Sequence, residues 1–326
     1  MENAIRNFPN QLKFKPEIIN KKNLARKKKF IVSGMGGSHL AADLLKSWKP
    51  CLDLTIHHNY GLPETPENLK KYLIIISSYS GNTEEALDGF KIALKKKLPV
   101  ACISTGGELL ELAKKYKKPY IQMPDTGIEP RSALGFGIVS FLKLLGENKA
   151  LSEVKKTANV IDMSALEEKG RAITEKIKNR IPIIYTSDKN WPLAYNWKIR
   201  LNETGKIPSF CHTVPEVTHN EIVGFDGENR TRELIGNFHF IFLKEKDDHP
   251  RIILRMQIMK EFLEEKGLSV EFIELEGKNY WERILTSLSI ADWAAFYIAE
   301  YYGLKASETE IINRLKKAMR ERGGKL

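Results

Sequence analysis

Apolar residues along this chain fall into short runs separated by longer amphipathic stretches. From about residue 28 the two alternate. Strands are expected at 30–33, 53–58, 72–77, 99–104 and 119–123, and helices between them at 37–47, 82–97, 107–117 and 131–146. The strand runs, such as Tyr72-Leu73-Ile74-Ile75-Ile76, lack a polar-apolar alternation. That is the pattern of a parallel sheet covered on both faces, so the first half reads as a doubly wound α/β domain. The theme returns after a charged amphipathic helix expected over 154–179. Strands are expected at 181–186, 238–243 and 269–275, and helices at 191–202, 250–266, 280–302 and 308–321. We expect two α/β domains, 1–152 and 153–326, related by a divergent internal duplication.

Two strand ends carry small-residue turns. Gly34-Met35-Gly36-Gly37-Ser38 follows Phe30-Ile31-Val32-Ser33, and Ser78-Tyr79-Ser80-Gly81-Asn82-Thr83 follows the 72–77 run. Gly, Ser and Thr at a helix start present backbone N–H groups and hydroxyls at the positive end of the helix dipole, a phosphate cradle. A helix cap needs one hydroxyl, whereas the second turn offers three: Ser78, Ser80 and Thr83. The first strand of the second half ends in Thr186-Ser187-Asp188-Lys189-Asn190, without glycine, so an intact cradle is expected in the first half only. A dinucleotide site is disfavoured. His39 occupies the third glycine position and the next strand ends in His57-His58-Asn59-Tyr60, with no acid for a ribose.

Composition narrows this modestly. The net charge is +11, and Arg26-Lys27-Lys28-Lys29 and Lys95-Lys96-Lys97 are basic runs. Lysine is nevertheless spread along the chain and interleaved with glutamate, so no nucleic-acid partner is expected. No apolar run approaches the ~20 residues of a membrane span and the start lacks a signal-peptide core, so no membrane partner is expected. Three scattered cysteines (Cys51, Cys102, Cys211) fit a reduced, cytoplasmic protein. Cys211, His212, His57 and His58 assemble into no recognisable metal-ligand spacing. His39 follows the glycine turn, where it could touch a ligand, but reads first as a helix-surface residue.

The two turns, with Pro130-Arg131-Ser132-Ala133-Leu134-Gly135, Asn202-Glu203, His219-Asn220-Glu221-Ile222-Val223-Gly224 and Leu315-Lys316, resemble the bifunctional phosphoglucose/phosphomannose isomerases, two-domain sugar isomerase (SIS) proteins. The resemblance covers both halves. It implies interconversion of glucose 6-phosphate and mannose 6-phosphate with fructose 6-phosphate through a cis-enediolate. That chemistry needs a base, a cation for the developing oxyanion and groups that open the ring, but in principle no metal or other cofactor. Ser78, Ser80 and Thr83 would hold phosphate, with Ser38 and the Gly36-Gly37 backbone near the sugar. Glu203 would be the base, Arg131 the enediolate stabiliser, and His219 and Lys316 the ring-opening pair. Thr309 would leave room for the mannose epimer. The resemblance further implies a homodimer in which His219 comes from the partner subunit. Rival readings are another SIS isomerase or a sugar-phosphate sensor. A sensor would carry a helix-turn-helix of about 70–80 residues ahead of the first strand, where 29 residues precede Phe30.

Overall fold

A computed structural model describes residues 1–227 and 231–323. It is an α/β protein with two parallel sheets. The first has the order β2-β1-β3-β4-β5, from Lys29–Ser33 (β1), Leu54–His57 (β2), Tyr72–Ser77 (β3), Val100–Ser104 (β4) and Tyr120–Gln122 (β5). The second has the order β7-β6-β8-β9, from Ile181–Ser187 (β6), Phe210–Val214 (β7), Phe238–Lys244 (β8) and Ser269–Glu274 (β9). The chain divides into two compact units. One holds Glu2–Asp162 with Glu276–Thr286. The other holds Met1, Met163–Leu275 and Ser287–Leu326.

In the first unit β3 is buried along its whole length, as its unbroken apolar run requires. Its core joins Ile74, Ile76 and Phe90 to Leu98, Val100 and Leu109. Strand β1 pairs with β3, Ser33 lying opposite Ile76. The strand order reverses at this pair, so the two glycine- and serine-rich turns flank the crevice where open α/β sheets bind ligands.

The second unit packs Tyr185, Phe240 and Phe242 against Met256, Met259 and Leu263. Two expectations fail here. The helix expected over 154–179 is two helices, Asn148–Thr157 and Met163–Ile177, because the chain turns through Asn159 and leaves Val160 62% exposed. Strand β7 was not expected, since Phe-Cys-His-Thr-Val carries no apolar run. As an edge strand it buries Val214 and leaves Phe210 exposed.

His239 on β8 is fully buried, with Nδ1 2.8 Å from Ser269 Oγ. Burial, reinforced by Arg180 and Lys176, pushes its pKa down to about 4. Because the folded-state pKa is depressed, the folded state holds the neutral ring. This stability is fully present above the unfolded value of about 6.5 and is lost as pH falls towards 4. The full effect is about 3 kcal/mol. Urea midpoints measured from pH 7 to pH 4 should fall less steeply for His239→Leu than for the parent protein. Equal slopes would show that His239 does not contribute.

Candidate active site

The Ser78–Thr83 turn is built from its own hydroxyls. Ser78 is buried, and its Oγ accepts the Gly81 N–H at 3.1 Å while donating to Thr83 Oγ1 at 2.9 Å. That relay leaves the Thr83 hydroxyl proton to donate outward. Ser80 is exposed, and its Oγ accepts the Asn82 N–H at 3.3 Å. Thr83 precedes the helix Glu84–Lys95 and makes no side-chain cap, so the amides of the first turn keep their donors for a ligand. Glu84 and Glu85 lie towards Tyr60, whose hydroxyl pKa is raised by desolvation and then by these two carboxylates.

Close backbone approach makes the glycines necessary. Gly81 has φ +72°, and a Cβ there would fall 1.8 Å from the Gly106 carbonyl oxygen. The Asn82 carboxamide accepts the Glu108 N–H at 3.0 Å, and Thr105 Oγ1 donates to the Tyr79 carbonyl at 2.8 Å. The turn after β4 thus props the Ser78–Thr83 turn from behind.

The first turn is stitched to the second. Ser77 Oγ donates to the Ser38 carbonyl at 2.8 Å, and Ser38 Oγ accepts the Tyr79 N–H at 2.9 Å. Ser38 therefore keeps its hydroxyl proton on this edge of the crevice. A Cβ on Gly37 would lie 2.7 Å from the Pro130 carbonyl carbon and 2.8 Å from the Arg131 nitrogen. The Pro130–Ser132 turn is thereby laid against Gly36-Gly37-Ser38. Arg131 is 2% exposed, with a guanidinium nitrogen 3.7 Å from Glu129 Oε2. Gln11 fixes this turn by donating to the Ser132 carbonyl at 2.7 Å and accepting the Gly135 N–H at 3.1 Å. Nothing local in the sequence marks Gln11, which acts from 121 residues away.

His39 is not on a helix surface. It is buried, its Nδ1 lies 2.6 Å from Asp43 Oδ2, and its ring stacks on His58 with centroids 5.5 Å apart. The i, i+4 spacing of His39 and Asp43 was the available signal.

In the second unit, Glu203 is the last residue of the helix Trp191–Glu203 and is partly buried. That helix is held by Trp197 Nε1, which donates to Ser287 Oγ at 3.0 Å, and by the buried Arg200, whose Nε lies 2.7 Å from Asp292. Lys206 donates to the Glu203 carbonyl at 2.6 Å and also to the Glu308 carbonyl. Thr309 follows directly and immediately precedes the terminal helix Glu310–Gly323, about two turns before Lys316. Lys316 is exposed on that helix.

His219 is exposed at the end of the Glu216–His219 turn. Its loop is anchored on both sides. Arg255 donates to Thr218 Oγ1 at 2.7 Å, and the buried Tyr185 hydroxyl donates to Glu221 Oε1 at 2.7 Å. His212 Nδ1 lies 3.3 Å from Glu221 Oε2.

At the ends of β6 and β8, the corresponding crevice of the second sheet carries buried acidic and amide side chains. Glu245 is 1% exposed; it accepts from Asn190 Nδ2 at 2.8 Å and pairs with Lys189 Nζ at 2.7 Å, with Asp248 3.5 Å from the same ammonium. Buried carboxylates there would repel a phosphate.

Residues 166–319 match the family model described as the bacterial phospho-glucose isomerase C-terminal SIS domain. A bifunctional phosphoglucose/phosphomannose isomerase of Aquifex aeolicus is 32% identical over 307 residues, 92% of this chain and 93% of that protein. The chain belongs to the bifunctional phosphoglucose/phosphomannose isomerase family. A second member, from Caldicellulosiruptor bescii, is 31% identical across 90% of each chain. The fold is that of SIS proteins more widely. Glucosamine-6-phosphate deaminase of Thermotoga maritima superposes with a TM-score of 0.67 at 13% identity, covering 94% of this chain and 96% of that one. Among the described residues, no helix is long and apolar enough to cross a membrane.

Proposed function

We propose that this protein interconverts glucose 6-phosphate and mannose 6-phosphate with fructose 6-phosphate. The observation that carries this reading is the pair of turns at the β1–β3 crevice, an anion cradle with Arg131 beside it, in a chain of this family. Ser80, the Thr83 hydroxyl and the amides at the start of Glu84–Lys95 bind the phosphate. Ser78 holds Thr83 in its donating orientation. Ser38 and the Gly36-Gly37 backbone lie along the sugar.

In the forward direction Glu203 removes the C2 proton of the open-chain aldose and returns it to C1. The negative charge that builds on the carbonyl oxygen is met by the Arg131 guanidinium, which is already desolvated and needs little reorganisation. His219 and Lys316 move the protons that open the pyranose or furanose ring. The small side chain of Thr309 leaves space for rotation about C2–C3, so that Glu203 meets either epimer.

His219 is read as a group supplied by the partner subunit of a homodimer. Its exposure supports this, as do the apolar rows Leu254, Ile258 and Phe262 on one helix and Ile311, Leu315 and Met319 on another. All six are at least 37% exposed, apolar faces that a second copy would cover. We place the enzyme in the cytoplasm.

Purified protein should convert both aldose phosphates to fructose 6-phosphate at undiminished rate in excess EDTA. Loss of activity with chelator would overturn the metal-free route. Activity on neither substrate would return the question to other SIS isomerases or to a sensor.

A further inference from the structure

Lys206 is assigned no part in the chemistry above, yet it occupies an unusual position. Its backbone has φ +58°, a left-handed conformation that glycine or asparagine adopts more readily. The turn around it is tightly determined. Thr204 and Gly205 both donate to the Arg200 carbonyl, and Ile207 donates to Leu201. A Cβ on Gly205 would lie 2.7 Å from the Leu201 carbonyl oxygen. Asn202 Nδ2 donates to the Ile207 carbonyl at 3.0 Å. This geometry sends the lysine stem back over the end of its own helix. There the ammonium binds two backbone carbonyls, that of Glu203 at 2.6 Å and that of Glu308.

The first of these bonds is an ordinary use of a cation at a helix C-terminus. The second is not, because Glu308 lies 102 residues away in sequence. It immediately precedes Thr309, whose own carbonyl accepts the Ile312 N–H at 3.0 Å and starts the terminal helix. One ammonium therefore sets the spacing between the segment that carries Glu203 and the segment that carries Thr309 and Lys316.

We propose that Lys206 is a positioning residue that holds Thr309 in register with Glu203 and so sets the balance between the glucose and mannose reactions. This rests on the roles given above to Glu203 and Thr309. Rotation about C2–C3 presents a different face of C2 to the base. The space beside C2 is set by where Thr309 stands relative to Glu203, and a shift of about 1 Å is enough to cost a large factor in rate.

The test uses the full-length protein. Lys206→Met keeps the aliphatic stem and removes both hydrogen bonds, while Lys206→Arg restores a donor. Initial rates of glucose 6-phosphate and mannose 6-phosphate formation from fructose 6-phosphate are measured with the melting temperature. For Lys206→Met we expect kcat to fall about 10-fold or more. We also expect the ratio of the two products to move in the same direction as in Thr309→Gln, and Lys206→Arg to recover part of both. A product ratio unchanged in Lys206→Met, where Thr309→Gln shifts it, overturns this inference and leaves the functional reading standing. A lowered rate with parental product ratio and a lowered melting temperature also overturns it, because that is the signature of a structural cap alone. If Thr309→Gln itself leaves the ratio unchanged, the underlying role of Thr309 falls and the inference falls with it.

Discussion

Glu203→Gln should abolish isomerisation while the protein still binds fructose 6-phosphate. The substitution keeps the size and hydrogen-bonding outline of the side chain but removes its capacity to accept a proton from carbon. Loss of a general base costs about 10²–10⁴-fold in kcat. The helix that presents residue 203 is fixed through Trp197 and the Arg200–Asp292 pair, neither of which uses the carboxylate, so folding should be unaffected. The proposed phosphate cradle does not include Glu203, so KM should change little. A variant with parental kcat would show that another group is the base. The same variant also tests the dimer reading. Mixed and re-equilibrated with His219→Ala, which is expected to be impaired in ring opening, Glu203→Gln should regain activity that neither parent has. Each mixed dimer would hold one site with an intact base and an intact partner histidine. No recovery would place His219 in the same subunit as the Glu203 it serves.

Gly81→Ala should be among the most damaging single-methyl additions in the molecule. Residue 81 sits at φ +72°, which costs an L-residue about 1–2 kcal/mol. The added Cβ would lie 1.8 Å from the Gly106 carbonyl oxygen, a backbone atom that cannot rotate away. Relief requires the phosphate turn and the turn after β4 to separate, breaking the hydrogen bonds of Asn82 and Thr105. Overpacking of this kind adds about 1–3 kcal/mol, so the total is near 3 kcal/mol. The turn that remains should also bind phosphate poorly, raising KM for all three sugar phosphates. Gly36→Ala is the control. Its φ is +50°, but a Cβ there meets nothing within 4 Å, so only the conformational cost of about 1–2 kcal/mol applies. Equal urea midpoints for the two variants would show that the close approach at Gly81 does not matter.

The two small-residue turns were legible because their parts are local. A strand followed by Gly34-Met35-Gly36-Gly37-Ser38, or by Ser78-x-Ser80-Gly81-x-Thr83, has its backbone geometry written in a few adjacent residues. Each such turn reads as an anion cradle before any tertiary contact is known. What those residues do once folded was less legible. Ser78 looks equivalent to Ser80 and Thr83 in the sequence, yet its hydroxyl is buried and spent in orienting Thr83. His39 looks like a surface residue until Asp43 and His58 close on it. Strand β7 escaped because an edge strand with one buried residue carries little hydrophobic pattern.

From the sequence alone come the α/β alternation, the parallel strands and the small-residue turns after β1 and β3, since hydrophobic period and turn chemistry act over a few residues. Tertiary structure alone decided that β1 and β3 are neighbours, so that two separate turns share one crevice. It also decided that Gly81 meets Gly106, that Gln11 steadies the Arg131 turn and that Lys206 reaches Glu308. These pairings are set by how whole elements pack. A side chain carries no local mark of a partner that lies a hundred residues away.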